Sequence, residues 1–423
     1  MPPLPRHQGY RVAWLMALVH MLAVGDRFLL SILIEPIKAD LGLGDAVIGA
    51  LQGPAFAIVN GVAIIPMILL ARRWPLAGLL AVALAGSSVA TIACGLATSG
   101  GMLAGARMML GLAQAAIGPA AMGLIVAAIA PAHRGRGISL FTGGASLGRG
   151  LAMIGGGALL ALFALLGGAV APWRAVFVAG GAIGLPLALV LSRMASPGAR
   201  PQGGGQPMGE ALRRMIADAR VLLPHILAAL CAVLVIQSLT SWSASLLIRL
   251  HGLTPPRAGL YVGLAMMLAG AFGHVVGGML ADRWGRGAPA LMLLGLAVAT
   301  LALWPLTRAG DLGLALSALV VAVVGLSITL ANGLIGLQQR VPPDLRVETT
   351  AIFLTLVTLL GTALGPWAVG AAAQAIAGPT GLADAIGRVL GMTGLVGCGA
   401  GLVAMRANRG DRPQGGEVAG RRA

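Results

Sequence analysis

Acidic residues are scarce: 13 Asp and Glu stand against 29 Lys and Arg in 423 residues, a formal net charge of +16. Charged residues of either sign make up only 10% of the chain. A soluble domain carries about 25%, so a water-soluble globular protein is excluded. Long polar stretches are missing too, which excludes a single membrane anchor bearing a soluble domain. Only three cysteines occur, Cys94, Cys231 and Cys398, each inside an apolar run and far from the others. They form neither a disulfide framework nor a metal-ligand cluster and read as buried free thiols. No phosphate-binding P-loop is present, so nothing supports ATP-driven transport.

What is there is apolar: 58% hydrophobic residues and a mean hydropathy of +0.91. At roughly 20 to 25 residues per crossing, the length holds about a dozen membrane-spanning helices. Charges, Gly/Pro pairs and polar clusters divide it into twelve, predicted at 12–36, 46–70, 75–97, 101–129, 136–167, 173–193, 221–249, 256–281, 287–307, 312–339, 347–376 and 381–405. The N-terminal apolar run continues past Asp26 to Glu35 without a small-residue cleavage site, so it reads as a retained first span.

The basic residues fall in the short gaps between spans and do not cluster as a nucleic-acid face requires. With the N-terminus inside, one side of the membrane collects about 20 of them and the other about six. This asymmetry predicts a multi-pass protein of the inner membrane with both termini cytoplasmic, and it explains the pI near 11.7 through topology and contact with anionic lipids.

The Pro/Gly-rich gap 194–220 reads as a cytoplasmic linker between two six-helix bundles, 1–193 and 221–406, followed by a cytoplasmic tail, 407–423. The two halves repeat one another. Leu70-Ala71-Arg72-Arg73-Trp74 matches Leu280-Ala281-Asp282-Arg283-Trp284, and Arg136 after Pro131 matches Arg346 after Pro342 at the same offset. Parallel six-helix repeats of this kind enclose a central site whose access alternates between the two faces.

Several stretches carry a family resemblance. Gly277 to Arg286, reading Gly-Gly-Met-Leu-Ala-Asp-Arg-Trp-Gly-Arg, resembles the G-x-L-A-D-R-x-G-R loop of the major facilitator superfamily. Asp26-Arg27-Phe28 and the stretch from Glu35 to Leu43 are similar to the first helix and following loop of its spinster-like bacterial branch. Arg107 to Ala115, Trp173 to Phe177 and Gly365-Pro366 are similar to its fourth, sixth and eleventh helices. The resemblance implies an all-α fold of twelve transmembrane helices and a monomeric, cofactor-free transporter of amphipathic lipids, organic acids or sugar acids. Three positions depart from the pattern: Arg72 replaces the first loop's acid, Gln114 a glutamate, and Gln374 an often acidic position. Each removes a negative charge of the kind that carries proton coupling in the family.

An ionisable group at mid-membrane costs about 2.5 to 3.5 kcal/mol and is functional by default. Asp26, Arg27, Arg107 and Arg149 all fall at such depths, and one acid cannot neutralise three arginines. The surplus predicts a small organic substrate that is anionic or has an anionic end. Arg149, with Ser146 and Thr142 on the same face of the fifth span, is the leading candidate to grip it; Arg107 and Gln114 share a face of the fourth. In the second half Gln237, Ser241, Ser245, Asn332, Thr355, Thr358 and Thr362 offer neutral polar groups, and Trp242 and Phe353 apolar walls. Asp26 is the candidate proton-coupling group. Of the histidines, His20 and His225 are left unassigned, a lone histidine in a span being more often a satisfied packing residue, and His274 lies one turn from the glycines leading into the Asp282 loop. Arg72, Arg73, Asp282, Arg283 and Arg286 are expected to form a cytoplasmic gate, weaker in the first half where Arg72 reverses the charge.

Two alternatives accompany this reading. A receptor-like or scaffold protein of the same fold would bind ligand without flux. An intramembrane serine enzyme is suggested by Gly144-Ala145-Ser146-Leu147-Gly148, a formal G-x-S-x-G, but the motif needs a strand-turn-helix setting and a His base. In an apolar helix Gly144 and Gly148 are better explained as a close-packing surface.

Overall fold

The computed structural model describes residues 5–71, 73–130, 133–194, 208–284, 287–342 and 345–410, and those residues hold helices and no strand. Among the described residues, twelve helices are long and apolar enough to cross a membrane. They are span 1 (His7–Ile32), span 2 (Asp45–Ala71), span 3 (Leu76–Leu96), span 4 (Gly100–Ala128), span 5 (Arg134–Leu166) and span 6 (Pro172–Ser192). After the linker come span 7 (Ala219–His251), span 8 (Pro255–Trp284), span 9 (Ala288–Arg308), span 10 (Leu312–Arg340), span 11 (Glu348–Ile376) and span 12 (Gly381–Ala407).

The first span differs most from the sequence reading. Its helix starts at Arg6, directly after Pro5, and breaks at Leu33 before a separate helix, Ile34–Leu41, carrying Glu35 and Lys38. Proline fixes its own backbone angle and suits a helix start, which moves the beginning forward. The short helix ends on Gly42, whose φ of 64° is left-handed and favours glycine. Span 2 breaks at Gly53 before Pro54, and span 8 holds a π-turn at Ala265–Ala269.

Glycine sets the helix packing. A Cβ on Gly144 would sit 2.3 Å from the Ala17 carbonyl oxygen, and one on Gly148 2.2 Å from that of Met21. These two glycines therefore let spans 1 and 5 touch through their backbones. Ser146 lies between them within the continuous helix Arg134–Leu166, so the hydrolase-elbow setting is absent.

Apolar side chains point outward as a lipid-facing surface: Val62 is 71% exposed and Leu301 75%. Water would not tolerate such a belt; a bilayer requires it. Trp74 and Trp284, at matching ends of spans 2 and 8, are both exposed, as interfacial tryptophans are. Within the linker region the helix Met208–Ala217 buries Ala211 and Met215 in a cluster with Leu222, Val341, Leu345 and Phe353. Phe353 is 3% exposed in that cluster. It is core, and not the predicted wall of a central site.

Candidate functional site

The two halves are tied together by polar links that run from mid-span to one end of the bundle. At that end Arg249, on span 7, donates from Nη1 and Nη2 to the two Asp45 oxygens, both at 2.8 Å, and from Nε to Glu35 at 2.9 Å. Lys38 adds a second cation to Asp45. Gln374 Oε1, on span 11, accepts from the Ala46 backbone N–H at 3.0 Å and so caps span 2 from the opposite half. One level deeper, Gln52 Nε2 donates to the Ser241 carbonyl at 3.3 Å and its Oε1 accepts from Ser31 at 2.7 Å. Spans 2 and 11 cross here through glycines: a Cβ on Gly370 would lie 2.3 Å from the Asp45 carbonyl oxygen, and one on Gly53 2.5 Å from that of Ala363.

At the other end Arg73, Asp282 and Arg283 are exposed, and none has an ion-pair partner among the described residues. Arg72 and Arg286, the remaining members of the expected gate, lie outside the described residues. The structure is therefore sealed at the Arg249 end, by a cluster the sequence reading did not single out.

Between these ends lies a polar centre. Arg27 Nη2 donates to Thr362 Oγ1 at 2.8 Å, and Gln237 Nε2 donates to the same oxygen at 2.8 Å. The Arg27 guanidinium lies 5.1 Å from the Phe28 ring centroid and 4.6 Å from that of Phe56; the Arg149 guanidinium lies 5.2 Å from Phe28. Sharing one ring, the two cations are at most about 10 Å apart. Arg149 is half-buried, its Nε has no hydrogen-bond partner, and no carboxylate pairs with either arginine among the described residues. Ser146 is half-buried one turn before Arg149. Thr355 is exposed on span 11 and lines a recess of about 220 Å³ together with Arg27, Asn60, Thr358 and Thr362.

Other predicted site residues are placed elsewhere. Arg107 is 1% exposed, with Nε on the Leu51 carbonyl at 3.1 Å and Nη1 on the Arg27 carbonyl at 3.0 Å. With these two bonds it braces the break in span 2 and the first span. Gln114 Nε2 is likewise engaged, with the Ala23 carbonyl at 2.7 Å and Ser87 at 3.0 Å. Trp242 is fully buried with Nε1 on the Pro366 carbonyl at 2.9 Å. Asn332 is fully buried between spans 8 and 10, donating to the Gly277 and Ile328 carbonyls. Both are packing residues, because inside a span a polar side chain first satisfies the nearest free carbonyl.

Asp26 is 8% exposed and accepts from Ser87 Oγ at 3.0 Å. No cation pairs with it among the described residues. His20 stacks on Phe141 at 4.1 Å and His225 bonds the Gly333 carbonyl at 2.7 Å, the contacts of packing histidines. Asn60 was missed: it is one polar residue in the otherwise apolar helix Pro54–Ala71, a signal overshadowed by the arginines.

The major facilitator superfamily model matches residues 16–366. The chain belongs to this superfamily. A protein of Mycolicibacterium smegmatis described as an MFS-type efflux pump is 30% identical over 411 residues, covering 91% of this chain and 90% of that protein. Among solved structures, a bacterial homolog of the human lysosomal transporter Spinster, in an inward-facing and unoccupied conformation, superposes with a TM-score of 0.85. It is 24% identical, and the match covers 96% of this chain and 98% of that one. A D-xylose-proton symporter follows at a TM-score of 0.72, 16% identity and coverage of 93% and 97%. Fold and family are those of a membrane transporter that binds small molecules.

Proposed function

We propose that the protein is a secondary active transporter carrying a small organic anion, or a solute with an anionic end, across the inner membrane by alternating access. The observation that carries this reading is the Arg27 and Arg149 pair, two guanidinium groups sharing the Phe28 ring without a carboxylate partner among the described residues. A buried cation left unpaired is costly, and an arriving carboxylate or phosphate relieves that cost. The planar guanidinium fork holds such a group through two parallel hydrogen bonds.

The Arg249 cluster faces the outside in this reading, following the arginine distribution, and the described state is inward-facing. Both termini, the 194–220 linker and the 407–423 tail are then cytoplasmic. The bundles 1–193 and 221–406 rock about the central site within a single chain, breaking the Arg249 links as the inner face closes. Asp26 is the proton-coupling candidate: protonation would remove the negative charge that accepts from Ser87 without disrupting an ion pair. The efflux role named for the mycobacterial relative makes export the direction to test first.

The test is counterflow of labelled organic acids in proteoliposomes. Anion counterflow in the wild type, reduced at least about tenfold in Arg149→Ala, supports the proposal. Anion binding without counterflow would favour the receptor-like alternative.

A further inference from the structure

The recess beside Arg27 has a composition that a bare anion site does not need. Its floor on span 11 carries Thr355, Thr358 and Thr362, at spacings that keep all three on one helical face. Threonines inside spans normally donate to the carbonyl four residues earlier. Several in this protein do so: Thr91 to Ser87, Thr142 to Ile138, Thr240 to Ile236 and Thr300 to Leu296; Thr349, buried in the first turn of span 11, does not. Thr355 and Thr358 do not; both are exposed, and neither hydroxyl has a partner among the described residues. Thr362 accepts from Arg27 and from Gln237, which fills its oxygen and leaves its own proton to donate. Asn60 spends its amide nitrogen on the Gly111 carbonyl at 2.9 Å, leaving the amide oxygen as a free acceptor.

We infer that the transported solute is a compact polyhydroxylated acid, its acidic end held by Arg149 and Arg27 and its hydroxyls paired with Thr355, Thr358, Thr362 and Asn60. This rests on the anion reading above and narrows it. Hydroxyls that both donate and accept suit a polyol, whose own hydroxyls do the same. The recess, about 220 Å³, falls below the ~300 Å³ at which drug-sized cavities begin, so the hydroxylated part is small. Thr362 lies 2.8 Å from Arg27 Nη2, and Thr358 and Thr355 follow about 6 and 10 Å further along the same helix, so a chain of about six carbons runs from Arg27 along this face.

The experiment measures dissociation constants of the purified full-length protein for gluconate, hexanoate, glucose and a short-chain lysophosphatidate. The proteins compared are the wild type, Thr355→Val/Thr358→Val, Thr355→Ser/Thr358→Ser and Arg149→Ala. The valine pair is isosteric and lies at exposed positions, so it leaves the fold in place. The expected result is gluconate binding at least about tenfold tighter than hexanoate in the wild type, a preference lost in the valine pair and kept in the serine pair. Equal binding of gluconate and hexanoate overturns the hydroxyl inference while the anion reading stands. Preference for the lysophosphatidate, untouched by the valine pair, overturns it in favour of a lipid. Binding of glucose as tight as gluconate, unchanged in Arg149→Ala, overturns the anion reading itself.

Discussion

Arg27 and Thr362 join the two halves of the protein at the centre of the bundle, with Nη2 to Oγ1 at 2.8 Å. The same arginine is a candidate ligand for the substrate anion, so one donor serves both a bridge between the halves and the site. An anion that draws the Arg27 fork toward itself competes with Thr362, which is also held by Gln237. In the proposed mechanism, substrate binding and release of the halves are linked through this side chain, as alternating access requires.

Removing the acceptor tests that link. Thr362→Val leaves Arg27 Nη2 and Gln237 Nε2 without their shared oxygen, a loss of about 1 to 3 kcal/mol. The expected outcome is a lower Tm together with faster labelling of a cysteine placed at position 46, at the sealed end. A raised Tm, or unchanged labelling, would show that the bridge is not holding the halves.

The seal itself centres on Arg249. Its three hydrogen bonds to Asp45 and Glu35 are only partly exposed, with side-chain exposures of 21%, 11% and 27% for Arg249, Asp45 and Glu35. After allowance for screening they are worth about 1 to 2 kcal/mol to the sealed state. Arg249→Ala should raise the population open at that end about tenfold, measured by distance distributions between spin labels on spans 2 and 11. Arg249→Lys reaches one acid and not both, so its effect should fall between.

Arg107 separates bracing from binding. Arg107→Ala removes the donors to the Leu51 and Arg27 carbonyls and leaves a cavity, costing about 2 to 4 kcal/mol. Poor yield and a lowered Tm are expected with every ligand and without ligand. A stable variant that has lost only anion affinity would return Arg107 to the binding site.

The proposed proton coupling is tested at Asp26. Asp26→Asn keeps an oxygen that accepts from Ser87 and removes the titrating group. Transport driven by a proton gradient should fall to the gradient-free rate, while counterflow at uniform pH continues. Unchanged gradient-driven transport would assign coupling elsewhere or remove it.

Much of this architecture was legible in the sequence, because twelve apolar runs separated by arginines leave few other ways to satisfy the backbone in a bilayer. The central pair of Arg27 and Arg149 was legible for the same reason: unpaired cations in apolar helices stand out. Arg107 carried the same signal for a different cause, since sequence cannot tell a guanidinium facing a cavity from one facing the Leu51 carbonyl. Trp242 and Asn332 were misread likewise, being placed on a helical face without knowledge of which face meets its neighbour. The Arg249 seal was hidden because its acids lie on or beside the short helix Ile34–Leu41, far from span 7 in sequence.

The most direct measurement is thermal stabilisation of the purified protein by a panel of organic acids, sugar acids and lysolipids, run side by side on wild type and Arg149→Ala. A ligand at 100 times its Kd stabilises by about 2.7 kcal/mol, which a melting curve resolves. Stabilisation of the wild type by an anion, absent in the variant, is the predicted result. Equal stabilisation of both proteins by neutral compounds, with no response to any anion, would contradict it and leave Arg149 a structural charge.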